Sequence, residues 1–376
     1  MDEEGLVIEI NPEKLKDDKE EFKTFLSAIS GMEFYNLEAL KKVEKMEQDF
    51  KTFDQKYISK LSFNYKDRIS KAKETIDQNQ NLLNNILKIY KPPSSLYEGL
   101  DKEEIKQQRF KEGKYIYNIF TYILRDWTIE RKNERQESYG CIINEVIKHF
   151  PPSTEDSKHC KILIPGSGLN RLGYELCKLG YDIEGNDYLY LNGIFTDFIF
   201  NHTKKNQFFF CPNIDGFSNY FNEDSVHKKY YFPDVDIDLK SLPGKLKVYL
   251  GDFLTLYDNF DDYFDCIITC FFIDTGQNII EYIDIIHRIL RKGGIWINFG
   301  PLSYHWTDYS DYISIELPYD KLKEVIINYG FKYINESFKN CTFGYIDDYM
   351  HNDFFKCINF TVEKNKNIKI IVNIFI

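Results

Sequence analysis

Basic charge is in short supply: 48 Lys and Arg stand against 59 Asp and Glu, a formal net charge of −11. A surface of that sign repels a phosphate backbone, which excludes a large sequence-independent nucleic-acid interface. Thiol pairs are missing too, since none of the eight cysteines forms a C-x-x-C motif. Scattered through 376 residues, they read as reduced thiols, and with seven histidines at no ligand spacing they exclude a metal site. No basic-then-apolar leader opens the chain, and the apolar run Ile368 to Ile376 falls far short of the roughly 20 residues a membrane helix needs. It reads as a terminal strand or docked tail. The expectation is a cytoplasmic chain, with a nuclear share allowed, and no membrane or nucleic-acid partner. The G-K-S or G-K-T of a P-loop is also absent.

What is present changes character along the chain. From about Glu20 to Tyr90 apolar residues recur at helical spacing, Phe22, Phe25, Leu26 and Ile29, then Leu37, Leu40, Val43, Met46, Phe50 and Phe53. The period predicts amphipathic helices that pack on a neighbour. KPPSSLYEG, Lys91 to Gly99, breaks the pattern and divides an N-terminal helical domain, 1–98, from a second domain, 99–376. The N-terminal helices are also the surface expected for a homodimer. Further helices are expected over Glu103 to Glu130 and Tyr139 to Phe150, before Pro151 and Pro152. Thereafter short β-rich runs (KILI, YDIEGND, LKVYL, FDCIITCFF, GGIWINFG) alternate with helical ones over Leu169 to Leu179, Tyr188 to His202 and Asn278 to Arg291. That alternation predicts an α/β fold, a parallel sheet with helices on both faces. The stretch at about 211–245 is too long for an ordinary connection and is expected to be an active-site insertion.

ILIPGSGLNRLGYELCKLG puts Gly166 and Gly168 in a strand-to-helix turn that a ligand can approach closely. Asp187 lies 21 residues after Gly166, at the end of the next strand, where a carboxylate can accept from a ribose diol. The pair fits any adenosine-bearing cofactor. Dinucleotide enzymes carry a small residue three positions after the second glycine, bringing a helix N-terminus to the pyrophosphate. Here that position is Arg171, which S-adenosylmethionine (SAM), lacking a pyrophosphate, tolerates; SAM is preferred to NAD on this ground. Asp252 and Phe253, ending the third strand, are placed for the adenine amino group and a ring nitrogen, with a helix N-cap as the alternative for Asp252.

Methyl transfer from a sulfonium is an in-line displacement, so the protein mainly aims a lone pair and excludes water. TCFFIDTGQN, after the fourth strand, embeds Asp274 among apolar and aromatic residues, as an acceptor-binding acid or as the N-cap of the next helix. PLSYHW adds His305, as base, hydrogen-bond donor or packed ring. The Asn/Asp-Pro-Pro-aromatic string of exocyclic-amine methyltransferases is missing, which sets base amines aside.

Together RDW at Arg125, ILIPGSGLNRLGYE at Ile162, GND at Gly185, FPDVD at Phe232, GDF at Gly251, TCFFIDT at Thr269 and GGIWINFGPL at Gly293 resemble the carnosine N-methyltransferase family. The resemblance runs, with gaps, from about Glu20 to about Phe360. It implies a Rossmann-like class I SAM methyltransferase that modifies the imidazole of carnosine or a related histidine-containing peptide. It also implies Tyr122 and Arg125 at the methionine end of SAM, Gly166 and Gly168 lining the loop, Asp187 at the ribose, Asp252 and Phe253 at the adenine, and Cys270 bordering the cofactor. Asp274 and His305 would be catalytic and hold the acceptor, lined by Phe343 and Phe355. The chain departs from the family pattern at Asp187 for Glu, at Tyr122 for Gln, and at Phe343, Phe354 and Phe355, where tyrosine hydroxyls are expected. A catalytically silent SAM-binding scaffold and a methyltransferase of protein histidine are the alternatives.

Overall fold

A computed structural model describes Ile10, Leu15 and residues 18–93, 115–152 and 160–365. The boundary at 98/99, the helix start near Glu103 and the run Ile368 to Ile376 lie outside the described residues.

Three long helices come first: α1 (Lys19–Glu33), α2 (Tyr35–Lys51) and α3 (Tyr65–Tyr90). Short polar side chains start two of them, Asp18 accepting from the Glu20 and Glu21 N–H groups and Asn64 from Lys66. Phe22, Phe25, Leu26, Ile29 and Val43 turn inward as the period predicts, whereas Leu37 and Phe53 remain 51% exposed. α3 is tied to the insertion by a reciprocal pair: Asn79 Nδ2 donates to the Cys211 carbonyl at 3.0 Å while its Oδ1 accepts from the Cys211 N–H at 2.7 Å. Two more helices, α4 (Tyr115–Trp127) and α5 (Lys132–His149), lead to the sheet. α5 begins well before the expected Tyr139 because its first two turns are polar and carry no apolar period.

The strands are β1 (Lys161–Pro165), β2 (Asp182–Asp187), β3 (Phe208–Phe210), β4 (Tyr230–Phe232), β5 (Leu246–Leu250), β6 (Phe264–Cys270), β7 (Leu290–Gly300), β8 (Phe331–Thr342) and β9 (Phe354–Lys364). Between them lie α6 (Arg171–Cys177), α7 (Tyr190–His202), α8 (Ile279–Ile289) and α9 (Tyr319–Asn328). Seven strands form one sheet in the order β5-β2-β1-β6-β7-β9-β8, parallel as far as β7, with β9 antiparallel to both neighbours. This is the class I methyltransferase sheet that the resemblance implies. Strand residues alternate between two cores: Ile162, Ile164, Cys266, Ile268, Ile295 and Ile297 face the layer that includes α1 to α5, while Leu163, Ile267 and Trp296 face α8 and α9. Strands covered on both sides read as continuous apolar runs, which is why β1 and β6 were legible. The β8–β9 hairpin and α9 were not anticipated. β8 is half polar, alternating exposed and partly buried positions on a sheet edge.

Chain order reverses between β1 and β6, which pair while their connections leave in opposite directions along the sheet. The crevice beyond the carboxyl ends of such strands is where open α/β sheets bind ligands. β3 and β4 form a separate two-stranded sheet in the insertion. No helix among the described residues is long and apolar enough to cross a membrane.

Candidate active site

β1 ends in a loop whose Gly166 and Gly168 have φ of +62° and +56°, the left-handed region that favours glycine. A Cβ on Gly166 would lie 2.2 Å from the Phe272 ring, so that ring fills the space a side chain would take. At Gly168 a Cβ would meet nothing within 4 Å, which leaves the loop open to an incoming group. Asp187, at the end of β2, is buried and fastens this loop: Oδ2 accepts from the Gly168 N–H at 3.0 Å, and Oδ1 accepts from the Leu189 N–H at 2.9 Å and Asn192 Nδ2 at 3.0 Å. Burial raises its carboxyl above the usual range against the pull of these donors. Oδ2 carries only the Gly168 bond among the described residues, so it retains accepting capacity for a hydroxyl.

Beside it, the Gly251 N–H donates to the Asp187 carbonyl at 2.9 Å, drawing the end of β5 against the end of β2. Asp252 is exposed and caps the one-turn helix Phe253–Leu256 through Oδ1, which accepts from Leu254 and Thr255 at 2.6 and 3.3 Å. Oδ2 has no partner among the described residues, so one oxygen caps and the other is available. Phe253 is buried against Tyr257, Phe272 and Tyr282, with centroids 5.5–5.7 Å away. Its N–H, at the first helical position, is one that the helix leaves unused.

Arg125 closes the other side. It is buried near the end of α4, with Nε donating to Asp126 Oδ1 at 2.8 Å and Nη2 donating to Asp126 Oδ2 at 3.3 Å and to the Tyr139 hydroxyl at 2.8 Å. Tyr139 in turn donates to Asp126 Oδ1 at 2.7 Å. Burial opposes the guanidinium charge, but Asp126 and Tyr139 more than offset it, holding the arginine above its usual pKa. Phe343 lies over the guanidinium at 4.3 Å, and the Tyr122 ring meets Phe343 edge-on at 6.2 Å. Burial also raises the Tyr122 phenol; Arg125 opposes the shift, while Asp187 and Asp126 add to it. Cys270, ending β6, has its thiol pushed up to about 12 by burial, which makes it a neutral wall.

Immediately after Cys270 the chain turns through Phe271 at φ +52°, an uncommon conformation for a bulky residue. The Phe271 N–H is anchored on the Phe299 carbonyl at 2.8 Å, and its ring meets Phe343 at 4.9 Å and Phe355 at 6.1 Å. Asp274 follows, only 3% exposed. Its Oδ2 accepts from the Ser303 N–H at 2.7 Å, its carbonyl accepts from the His305 N–H at 3.2 Å, and it has no ion pair among the described residues. Burial raises its carboxyl, with the Ser303 N–H, its own N–H and His305 opposing in that order. The cap of α8 is Asn278, whose side chain accepts from the Ile280 N–H at 3.0 Å, so Asp274 is not spent on capping. The His305 ring is exposed.

The structure thus gathers Tyr122, Arg125 and Phe343, joins Gly168 to Asp187, and joins Asp274 to His305 through the backbone. Phe354, by contrast, is 70% exposed. Asp126, Tyr139, Phe271 and Phe272 were missed by sequence reasoning; only RDW and CFFIDT hinted at three of them. Arg171 points away from the loop into a buried brace. It donates to Asp234 Oδ1 at 2.5 Å and to the Asp126 carbonyl at 2.9 Å, while Arg135 donates to Asp234 Oδ2 at 2.6 Å. FPDVD and RDW are therefore tied to the helix that carries the glycine loop.

The family model for carnosine N-methyltransferase matches residues 102–366. A carnosine N-methyltransferase of Mus musculus is 33% identical over 345 residues, covering 90% of this chain and 86% of that protein. One of Schizosaccharomyces pombe is 30% identical over 313 residues, covering 77% and 83%.

Proposed function

The chain belongs to the carnosine N-methyltransferase family and is a SAM-dependent methyltransferase, and from that premise we propose that it methylates an imidazole nitrogen of carnosine or a related histidine-containing peptide. The observation that carries the reading is Asp274, a buried carboxylate with no cation of its own at the carboxyl end of the strand beside the glycine loop.

The donor set fits the cofactor. Gly168 leaves room for it, Asp187 Oδ2 would accept from the ribose, and Asp252 Oδ2 and the Phe253 N–H would hold the adenine. Arg125, whose Nη1 has no bond among the described residues, offers its charge to the methionine carboxylate. Bound there, SAM supplies an electrophilic methyl group.

A carboxylate that accepts the far N–H of a neutral imidazole fixes the tautomer and leaves the near nitrogen with its lone pair free. At an unperturbed pKa of about 6.5, most acceptor is already neutral at pH 7, so orientation matters more than deprotonation. Methylation of the near nitrogen would place positive charge on the acceptor ring, and the Asp274 carboxylate would stabilise that charge. The far proton can then leave through Asp274. Phe271, Phe343 and Phe355 supply an apolar wall that excludes water.

The test is incubation of the protein with SAM and carnosine, histidine, histamine or histidyl peptides, read by mass for one added methyl group. Gain on an imidazole compound, lost in Asp274→Ala with SAM binding intact, is expected. Normal turnover by Asp274→Ala would overturn the acceptor assignment.

A further inference from the structure

Two glycines of the site are each filled by an aromatic ring, and the two rings stack on each other. Phe272 lies 2.2 Å from where a Cβ of Gly166 would stand, and Tyr282 does the same for Gly276, with its Cζ at 2.7 Å and its two Cε atoms at 2.9 and 3.0 Å. Phe272 and Tyr282 are face to face, with centroids 4.9 Å apart and planes within 5° of each other, and the Phe253 ring meets both edge-on at 5.5 Å. Tyr282 belongs to the first turn of α8, after the Asn278 cap. The turn that follows Asp274 closes on the same pair, since the Thr275 N–H and hydroxyl both donate to the Phe272 carbonyl, at 2.9 and 2.8 Å.

Rings packed flat against each other and against backbone cannot slide without opening a void or forcing a clash. The stack runs from the glycine loop after β1, past Phe253 after β5, to the turn after Asp274, so it joins the elements given to the cofactor with the one given to the acceptor. We infer that Tyr282 is a positioning residue for methyl transfer: its ring sets the separation between the cofactor loop and the Asp274 turn, and with it the approach of the acceptor nitrogen to the methyl carbon. The inference rests on the reading of Asp274 as the acceptor-binding group. Tyr282 acts on the reacting atoms only through Phe272 and Gly276, so its loss falls on rate more than on affinity, an in-line displacement being sensitive to misplacement on the order of 1 Å.

The experiment measures methyl transfer from SAM to carnosine by the full chain, with kcat expressed per SAM site counted by calorimetry, so that misfolded protein drops out of the rate. Tyr282→Leu keeps an apolar side chain without the ring. Its kcat is expected to fall roughly tenfold, with SAM affinity and the carnosine KM changed by less than about threefold, while Tyr282→Phe restores the rate. Gly276 lies outside the left-handed region, so Gly276→Ala tests space alone. It should also cost roughly tenfold, because the new Cβ displaces the Tyr282 ring. In Gly276→Ala/Tyr282→Leu the clashing atoms are gone, and the double variant should match Tyr282→Leu instead of losing about a hundredfold. An unchanged kcat in Tyr282→Leu, a loss carried by fewer SAM sites, or losses that multiply in the double variant would overturn the inference alone. No transfer to carnosine by the unaltered protein, with SAM bound, would overturn the imidazole reading and the role of Tyr282 with it.

Discussion

Asp234 and Asp274 are both sealed from solvent, at 6% and 3% exposure, yet they are held in opposite ways. Asp234 gives one oxygen to Arg171 and the other to Arg135, and its own N–H is fixed on the Trp127 carbonyl at 2.9 Å. Asp274 has one N–H on Oδ2 and no cation. A buried charge is costly unless it is paired and hydrogen-bonded. The fold meets that cost for Asp234 from its own side chains and leaves Asp274 to be completed from outside. The partners of a buried acid, more than its burial, separate a brace from a binding group.

The largest effect expected of this comparison is on stability. Asp234→Ala leaves the buried Arg135 guanidinium without its carboxylate partner and Arg171 with Glu175 alone, at 2.8 Å from its Nε, and removal of one member of such a network costs about 3–5 kcal/mol. Denaturant midpoints should fall accordingly. A loss under about 1 kcal/mol would mean that the brace is not what holds the insertion to the glycine-loop helix. The counterpart is Asp274→Asn, which preserves shape and an acceptor for the Ser303 N–H. Because burial raises the Asp274 carboxyl in the folded protein, ionisation above the unfolded pKa of about 3.9 works against folding. Removing the charge should therefore leave stability at pH 7 to 8 equal or higher, while kcat/KM falls by about a hundredfold, or about 2.7 kcal/mol. A variant that lost stability and kept its rate would put Asp274 in the same class as Asp234.

A smaller effect separates the two duties of Asp252. Asparagine caps a helix as well as aspartate does, so Asp252→Asn should keep the cap on Phe253–Leu256 and the melting temperature. Its amide would set a donor against the adenine amino group, weakening SAM binding roughly tenfold by calorimetry, about 1.4 kcal/mol. Unchanged affinity would leave the cap as the whole role of this residue.

How much of this could be read from the sequence depended on how local each determinant is. β1 and β6 were legible because doubly covered parallel strands are short apolar runs, β5 because it alternates buried and exposed residues on the sheet edge, and Gly166, Asp187 and Asp252 because each sits at or just after a strand end. The β8–β9 hairpin was hidden by its polar half, and the first turns of α5 by the lack of an apolar period. Phe271 stood in a quoted string, but its left-handed backbone is set by the Phe299 carbonyl on the neighbouring strand. The Asp126–Tyr139 support of Arg125 and the turning of Arg171 toward Asp234 likewise depend on contacts between separate elements. Sequence period carries no record of such pairings, so it offers the motif positions as candidates and leaves their supporting residues unnamed.

The smallest effect expected is in the shape of a pH profile, and it tests the unpaired state of Asp274 most directly. Burial raises this carboxyl, and no cation pulls it fully back. The acceptor imidazole loses its lone pair to a proton below about pH 6.5. Both groups must be deprotonated for transfer, so kcat/KM should fall as the pH drops. Where the two titrations overlap, the slope of its logarithm should steepen from about 1 toward about 2. The residual activity of Asp274→Asn keeps only the acceptor's limb, with a slope of about 1. Identical acid limbs would mean that Asp274 stays ionised through the whole range, as a carboxylate braced by cations would, and the contrast with Asp234 would fail at the point where it predicts function.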